Sequence, residues 1–212
     1  DTYIEAKTPR TISNFGDIGL LQLIAGSGMA AALDTLPDAI KRSPQAVAET
    51  IANNVRSIIV KEHLNDPAFY DKMSTLLDEI IAARKSKAIE YEAYLKRIAE
   101  LIKRVEAGQA EDMPVQLNTP GRRALYNIIM HGLSSGGTFR VADSGSPAGS
   151  TPEERALDLS IQIDGAVKHV RSDGWRGIQA REQIIKGVLY GVLQDADAVE
   201  KIFLIMKQQR EY

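Results

Sequence analysis

The sequence predicts an all-α protein, an irregular bundle of about six or seven helices. Three observations predict it. Apolar residues recur at three- and four-residue spacing through most of the chain. Prolines repeatedly follow capping residues where such stripes begin. Alternating strand patterns are nearly absent, apart from an extended piece expected near Tyr3-Ile4.

The elements follow in order. Ile18-Gly19-Leu20-Leu21-Gln22-Leu23-Ile24 reads as a short helix with an acidic N-terminal turn and an exit at Gly26 and Gly28. Residues 34–44, with Pro37 and Pro44, read as a connector. After Pro44, Val47, Ile51, Val55, Ile58 and Ile59 lie on one face of a long helix. Asp66-Pro67 supplies a cap and a first-turn proline, followed by the stripe Met73, Leu76, Leu77, Ile80 and Ile81. Polar Arg84-Lys85-Ser86-Lys87 interrupts it, and Tyr94, Leu95, Ile98, Leu101, Ile102 and Val105 form the next stripe, closed by Gly108. The pair predicts an antiparallel helical hairpin near residues 66–108.

Thr119-Pro120 opens a helix carrying Ala124, Leu125, Ile128 and Ile129. Of the eighteen residues at 133–150, ten are Ser, Gly or Pro, which predicts a mobile surface insertion. Thr151-Pro152-Glu153-Glu154 is a capping box, and Leu157, Ile161, Ala166 and Val170 are the expected stripe of the helix it starts. Ser172-Asp173-Gly174-Trp175-Arg176-Gly177 turns the chain into two last helices. Their stripes are Ile184, Ile185, Val188, Leu189, Val192 and Leu193, then Val199, Ile202, Phe203 and Met206. Residues 1–45 are expected to be a connector with a short helix, and 46–212 a C-terminal helical domain.

The composition removes many function classes. The chain of 212 residues carries 26 Lys plus Arg against 28 Asp plus Glu, so a globally basic nucleic-acid binder is not expected. Residues 66–107 hold eight acidic and eight basic side chains, again without bias. With no cysteine there is no disulfide framework, thiolate nucleophile or Cys-ligated metal. No apolar run reaches the length of a membrane span, and the lack of Cys is compatible with a cytoplasmic protein without establishing the compartment. The first residue is not Met, and the chain reads as a processed or cut fragment.

Catalytic patterns are scarce. His63, His131 and His169 have no second ligand at zinc-binding helical spacing, and no Gly-x-Ser-x-Gly elbow occurs. Ala25-Gly26-Ser27-Gly28-Met29 lacks the lysine of a phosphate-binding loop and reads as a helix exit. Asp78-Glu79 reads as part of a solvated face rather than as an acid-base pair. Two places stand out. Asn53-Asn54-Val55-Arg56 doubles a poor helix former inside a strong helix, either as a solvent face or as a polar contact surface. Trp175-Arg176 holds the only Trp, either as a loop anchor closing the core or as a partner hot spot.

Several segments together resemble the C-terminal helical region of the restriction (motor) subunit of type I restriction–modification enzymes. They are Ala48-Glu49-Thr50-Ile51-Ala52-Asn53-Asn54-Val55-Arg56, Asp66-Pro67-Ala68-Phe69-Tyr70-Asp71-Lys72-Met73-Ser74 and Tyr91-Glu92-Ala93-Tyr94-Leu95. Further along come Asn118-Thr119-Pro120 with Ala124-Leu125-Tyr126, Asp173-Gly174-Trp175-Arg176, Val199-Glu200-Lys201-Ile202-Phe203 and Gln209-Arg210-Glu211-Tyr212. The matches run in order through residues 48–212; the first 45 residues match less clearly, and the stretch at 133–150 is longer than the pattern requires.

The resemblance implies a non-catalytic assembly domain. Its parent would be an ATP-dependent, DNA-translocating site-specific endonuclease, with nuclease and helicase-like domains upstream that use ATP and Mg. The implied partners are the methyltransferase subunits and the upstream motor domains, with DNA reached through the whole complex. No cofactor or metal is expected in this fragment, and no membrane. Candidate partner contacts are Asn53, Asn54, Arg56, Trp175, Arg176 and Arg210. An alternative, a helical module that steers DNA to the motor, would use Arg97, Lys103, Arg104, Arg122 and Arg123.

Overall fold

The computed structural model describes residues 19–110, 112–134 and 150–212, and among these the chain is all-helical with no strand. Ten helices are formed among the described residues: α1 (Leu20–Ser27), α2 (Met29–Asp34), α3 (Asp38–Lys41), α4 (Pro44–Glu62), α5 (Pro67–Lys85), α6 (Tyr91–Ala107), α7 (Pro120–Ser134), α8 (Pro152–Val170), α9 (Gln179–Leu193) and α10 (Ala196–Gln208). The number exceeds the expected six or seven: α2 and α3 span only six and four residues, and eight helices remain without them. So short a helix cannot repeat a 3.6-residue stripe, and its sequence reads as connector. The expected extended piece at Tyr3-Ile4 lies outside the described residues, as does most of the Gly/Ser insertion.

The starts of the long helices obey local capping chemistry. Ser43 Oγ accepts from the Ala46 N–H at the head of α4, and Asp66 Oδ1 accepts from the Phe69 N–H at the head of α5. At α8 the capping box is complete, with the Glu154 N–H donating to Thr151 Oγ1 at 3.2 Å and the Thr151 N–H to Glu154 Oε2 at 2.9 Å. Both helices of the expected hairpin form, as α5 and α6. No described helix is long and apolar enough to cross a membrane.

The contacts divide the chain into two compact units. Unit 1 holds the described residues up to Ser57 together with Leu77–Glu106; unit 2 holds Ile58–Leu76 and the described residues from Ala107 to Tyr212. The boundaries between these units fall inside α4 and α5.

In unit 1 most of the predicted stripe residues are buried, namely Val47, Ile51 and Val55 on α4, Leu77 on α5, and Tyr94, Ile98, Leu101, Ile102 and Val105 on α6, while Ile80, Ile81 and Leu95 are half-buried. The buried Tyr94 hydroxyl donates to the Ala48 carbonyl at 3.1 Å, so its one polar atom is satisfied. Arg84, near the end of α5, lies over the Tyr91 and Tyr94 rings at 5.7 and 5.0 Å.

In unit 2, α7 packs on α8, α8 on α9, α9 on α10 and α10 back on α7, a closed ring of four helices. Its core includes Leu125, Ile129, Leu159, Ile163, Trp175, Leu189, Ile202 and Phe203. Two expectations need correction here: Ile184, placed in the α9 stripe, is 56% exposed, and the core face of α8 lies elsewhere than expected. The predicted α8 stripe, Leu157, Ile161, Ala166 and Val170, is only half-buried. The buried face is Ala156, Leu159, Ser160, Ile163, Asp164 and Val167. Two polar residues interrupt that face, so an apolar count chooses its flank.

Candidate partner-binding cleft and an internal polar clasp

Two polar constellations stand out, one in each unit. The first is internal to unit 2 and centres on Asp164. Its side chain is fully buried on the core face of α8. Arg122 Nε donates to one carboxylate oxygen at 2.7 Å, while Lys168 Nζ and the Tyr212 hydroxyl reach the other, each at 2.7 Å. Burial alone would raise the Asp164 pKa, but hydrogen bonds from Lys168, Tyr212 and Arg122 outweigh it and hold the carboxyl below its usual range. The Tyr212 hydroxyl is pushed up, first by burial and then by its bond to Asp164, so it stays a donor.

The chain around Tyr212 closes over this carboxylate. Thr119 Oγ1 donates to Glu211 Oε1 at 3.0 Å, and Lys168 Nζ lies 5.4 Å from the centre of the Tyr212 ring. A Cβ on Gly121 would stand 2.7 Å from Tyr212 Cε2 and would also meet the Glu211 carboxylate, so only glycine lets the tail seat. Buried Gln209 donates to the Asn65 carbonyl at 2.5 Å, and its own carbonyl accepts from Arg176. Arg176 also donates to the Lys207 carbonyl at 2.9 Å and stacks on Trp175 at 4.7 Å. Trp175, 1% exposed, meets Phe203 with ring centroids 5.7 Å apart. The loop-anchor reading of Trp175 is therefore the one the structure favours, and its indole is inaccessible to a partner in this conformation.

A second buried carboxylate, Asp66, is treated differently. It caps α5 and accepts from Asn127 Nδ2 at 2.6 Å. Burial raises its pKa to about 6; the Asn127 and Phe69 bonds and the nearby Arg123 lower it but do not prevail. Asp164 takes three donors from cationic or hydroxyl side chains; Asp66 takes two neutral ones.

The second constellation is a cleft of about 570 Å³ in unit 1, between the first half of α4, the end of α5 and the start of α6. Four cations line it, Arg56, Arg84, Lys85 and Lys87, against one acid, Glu49. Ala48, Ala52 and Ile81 give the lining an apolar part, and Gln45 and Asn53 add amides. Arg56 is paired with the exposed Asp78 at 2.7 Å, and Arg84 donates to the Pro44 carbonyl at 3.1 Å. Among the described residues Lys85 and Lys87 have no ion pair. Lys87 also stands in the left-handed region, at φ 57°. It occupies the position after α5 that usually carries glycine: the Lys87 N–H bonds the Arg84 carbonyl and the Ala88 N–H bonds the Ala83 carbonyl.

The candidate contacts sort accordingly. Asn53, Asn54 and Arg56 are exposed in unit 1; Asn53 and Arg56 line the cleft, and Asn54 Nδ2 bonds back to the Thr50 carbonyl at 2.8 Å. Arg176 is engaged by backbone carbonyls, and Arg210 is exposed. Among the residues of the DNA alternative, Arg97 and Lys103 are exposed and Arg104 is half-buried. Arg122 is committed to Asp164, and Arg123 donates to the Leu117 carbonyl at 3.4 Å. The sequence reading missed Arg84, Lys85 and Lys87 as cleft residues because they read as the polar turn of a hairpin. Their signal was a cationic run with no acid before Glu90. No group of three or more His, Asp or Glu placed to hold a metal occurs among the described residues. Comparison of the chain with protein-family models, curated proteins and solved structures finds no match.

Proposed function

We propose that this chain is a non-catalytic helical assembly region of the restriction (motor) subunit of a type I restriction–modification enzyme, acting in the cytoplasm. It docks the DNA-translocating nuclease subunit onto the methyltransferase core. ATP and Mg act in domains upstream of it. The observation that carries this reading is spatial. Four of the segments that bear the resemblance come together in one clasp: Asn118-Thr119-Pro120, Asp173-Gly174-Trp175-Arg176, Val199-Glu200-Lys201-Ile202-Phe203 and Gln209-Arg210-Glu211-Tyr212. Segments matched separately along the sequence thus depend on each other in the fold. The DNA-steering alternative is weaker, because Arg122 serves the fold.

Competition tests the proposal. Excess of this 212-residue chain, added to a pull-down of the whole motor subunit by its methyltransferase core, is expected to reduce capture. Undiminished capture at saturating chain overturns the reading.

A further inference from the structure

We propose that the unit 1 cleft seats an acidic segment of a partner polypeptide, an inference that rests on the assembly reading and names the chemistry of the contact. The charge balance is the first argument. The whole chain carries slightly more acid than base, yet this one concavity gathers four cations against Glu49. Two of them, Lys85 and Lys87, have no ion pair among the described residues. Arg56 is held only by an exposed pair with Asp78, a weak arrangement readily exchanged for another carboxylate.

Lys87 supplies the second argument. A left-handed residue after a helix is usually glycine, and a side chain there is disfavoured. The other non-glycine residue of this kind among the described residues, Gln194, has a local reason: its side-chain amide donates to the Gly191 carbonyl and caps α9. Lys87 makes no such bond. Its side chain lines the cleft instead, so an ammonium is kept where the backbone alone favours glycine.

The lining also distinguishes kinds of anion. Glu49 within the cleft and Asp78 beside Arg56 repel a continuous phosphodiester backbone, whereas a peptide can offset its carboxylates past them. Ala48, Ala52 and Ile81 suit the methylenes of peptide side chains. The one aromatic residue in the lining, Tyr94, is buried under Arg84 and offers no open face for a base.

Fluorescence anisotropy with the intact chain tests this. The probe is a labelled peptide of alternating Glu and Ala, compared with a Gln-Ala peptide and with duplex DNA. We expect saturable, salt-sensitive binding of the Glu-Ala peptide only. Lys87→Gly should weaken it about threefold, and Lys85→Gln with Lys87→Gly about tenfold. Because glycine suits the backbone at 87, the melting temperature of Lys87→Gly should hold or rise, which separates lost binding from lost folding. Unchanged affinity in the double variant, equal binding of the Gln-Ala peptide, or tighter binding of duplex DNA through the same two lysines overturns the proposal. The double variant in the whole motor subunit separates the two readings. If it is captured by the core normally while the wild-type chain still competes, the cleft proposal alone falls. If the wild-type chain does not compete yet binds the peptide through these lysines, the assembly reading alone falls.

Discussion

The clasp of unit 2 and the cleft of unit 1 use the same kinds of cation to opposite ends. In the clasp, Arg122 and Lys168 converge on one buried carboxylate; nearby, Lys186 pairs with Glu200 and Lys207 with Glu182. In the cleft, Lys85 and Lys87 have no ion pair among the described residues, and a third cation is held only by an exposed pair. The difference teaches that basic residues alone mark neither structure nor binding. What matters is whether the fold itself supplies the counter-charge. Where it does, the cation is part of the core's completion; where it does not, a concave surface is left with a field to be satisfied by something else.

Substitutions can break this contrast, most strongly in the clasp. Asp164→Ala removes the carboxylate and leaves Arg122 and Lys168 facing each other in a partly dry site. It should lower stability by about 3–5 kcal/mol, measured by chemical denaturation. A loss below about 1 kcal/mol would mean that the clasp resembles a surface pair instead.

Asp66 tests the other buried carboxylate. Its folded pKa of about 6 lies above the unfolded value near 4, so the fold favours the neutral form. Its contribution therefore improves as pH falls from about 7 toward 4, opposite in sign to Asp164. Relative to Asp66→Asn, the wild-type chain should gain on the order of 2 kcal/mol across that window. A flat difference would show that Asn127 and Arg123 compensate the burial fully.

Gly121→Ala asks how tightly the tail is seated. The added methyl must displace the Tyr212 ring, and we expect a loss of about 1–3 kcal/mol in the same denaturation assay. The smallest effect has the opposite sign. Lys87→Gly relieves a left-handed backbone and should gain up to about 1 kcal/mol, at the expense of the cleft's field.

How much of this was legible depends on range. The caps at Asp66, Thr119 and Thr151 and the long stripes of α4, α6 and α10 are local, and the sequence announces them. Asp164 is not local. It sits between Ile163 and Val167 on a buried face, and a carboxylate there reads as a reason to place the core elsewhere. Only its partners, 42 residues earlier and 48 later, make it tenable. The cleft was half legible: Asn53 and Arg56 stood out on their own helix, but the lysines that face the same space lie at the end of another helix and just past it. Trp175 left two readings open because a lone Trp serves core and interface equally well until its burial is known.

The Gln209 tail has a consequence for synthesis on the ribosome. Asn65 waits 144 residues for the side chain that will cover its carbonyl. At roughly 5–20 residues per second, that wait is about 7–30 s; Asp164, made later, waits 48 residues, about 2–10 s, for its hydroxyl partner. Unit 2 begins with Ile58, yet its closure depends on the residues from Gln209 to Tyr212. A nascent chain halted a few residues short of Tyr212 would hold the four helices without the latch that joins them to the segment made first.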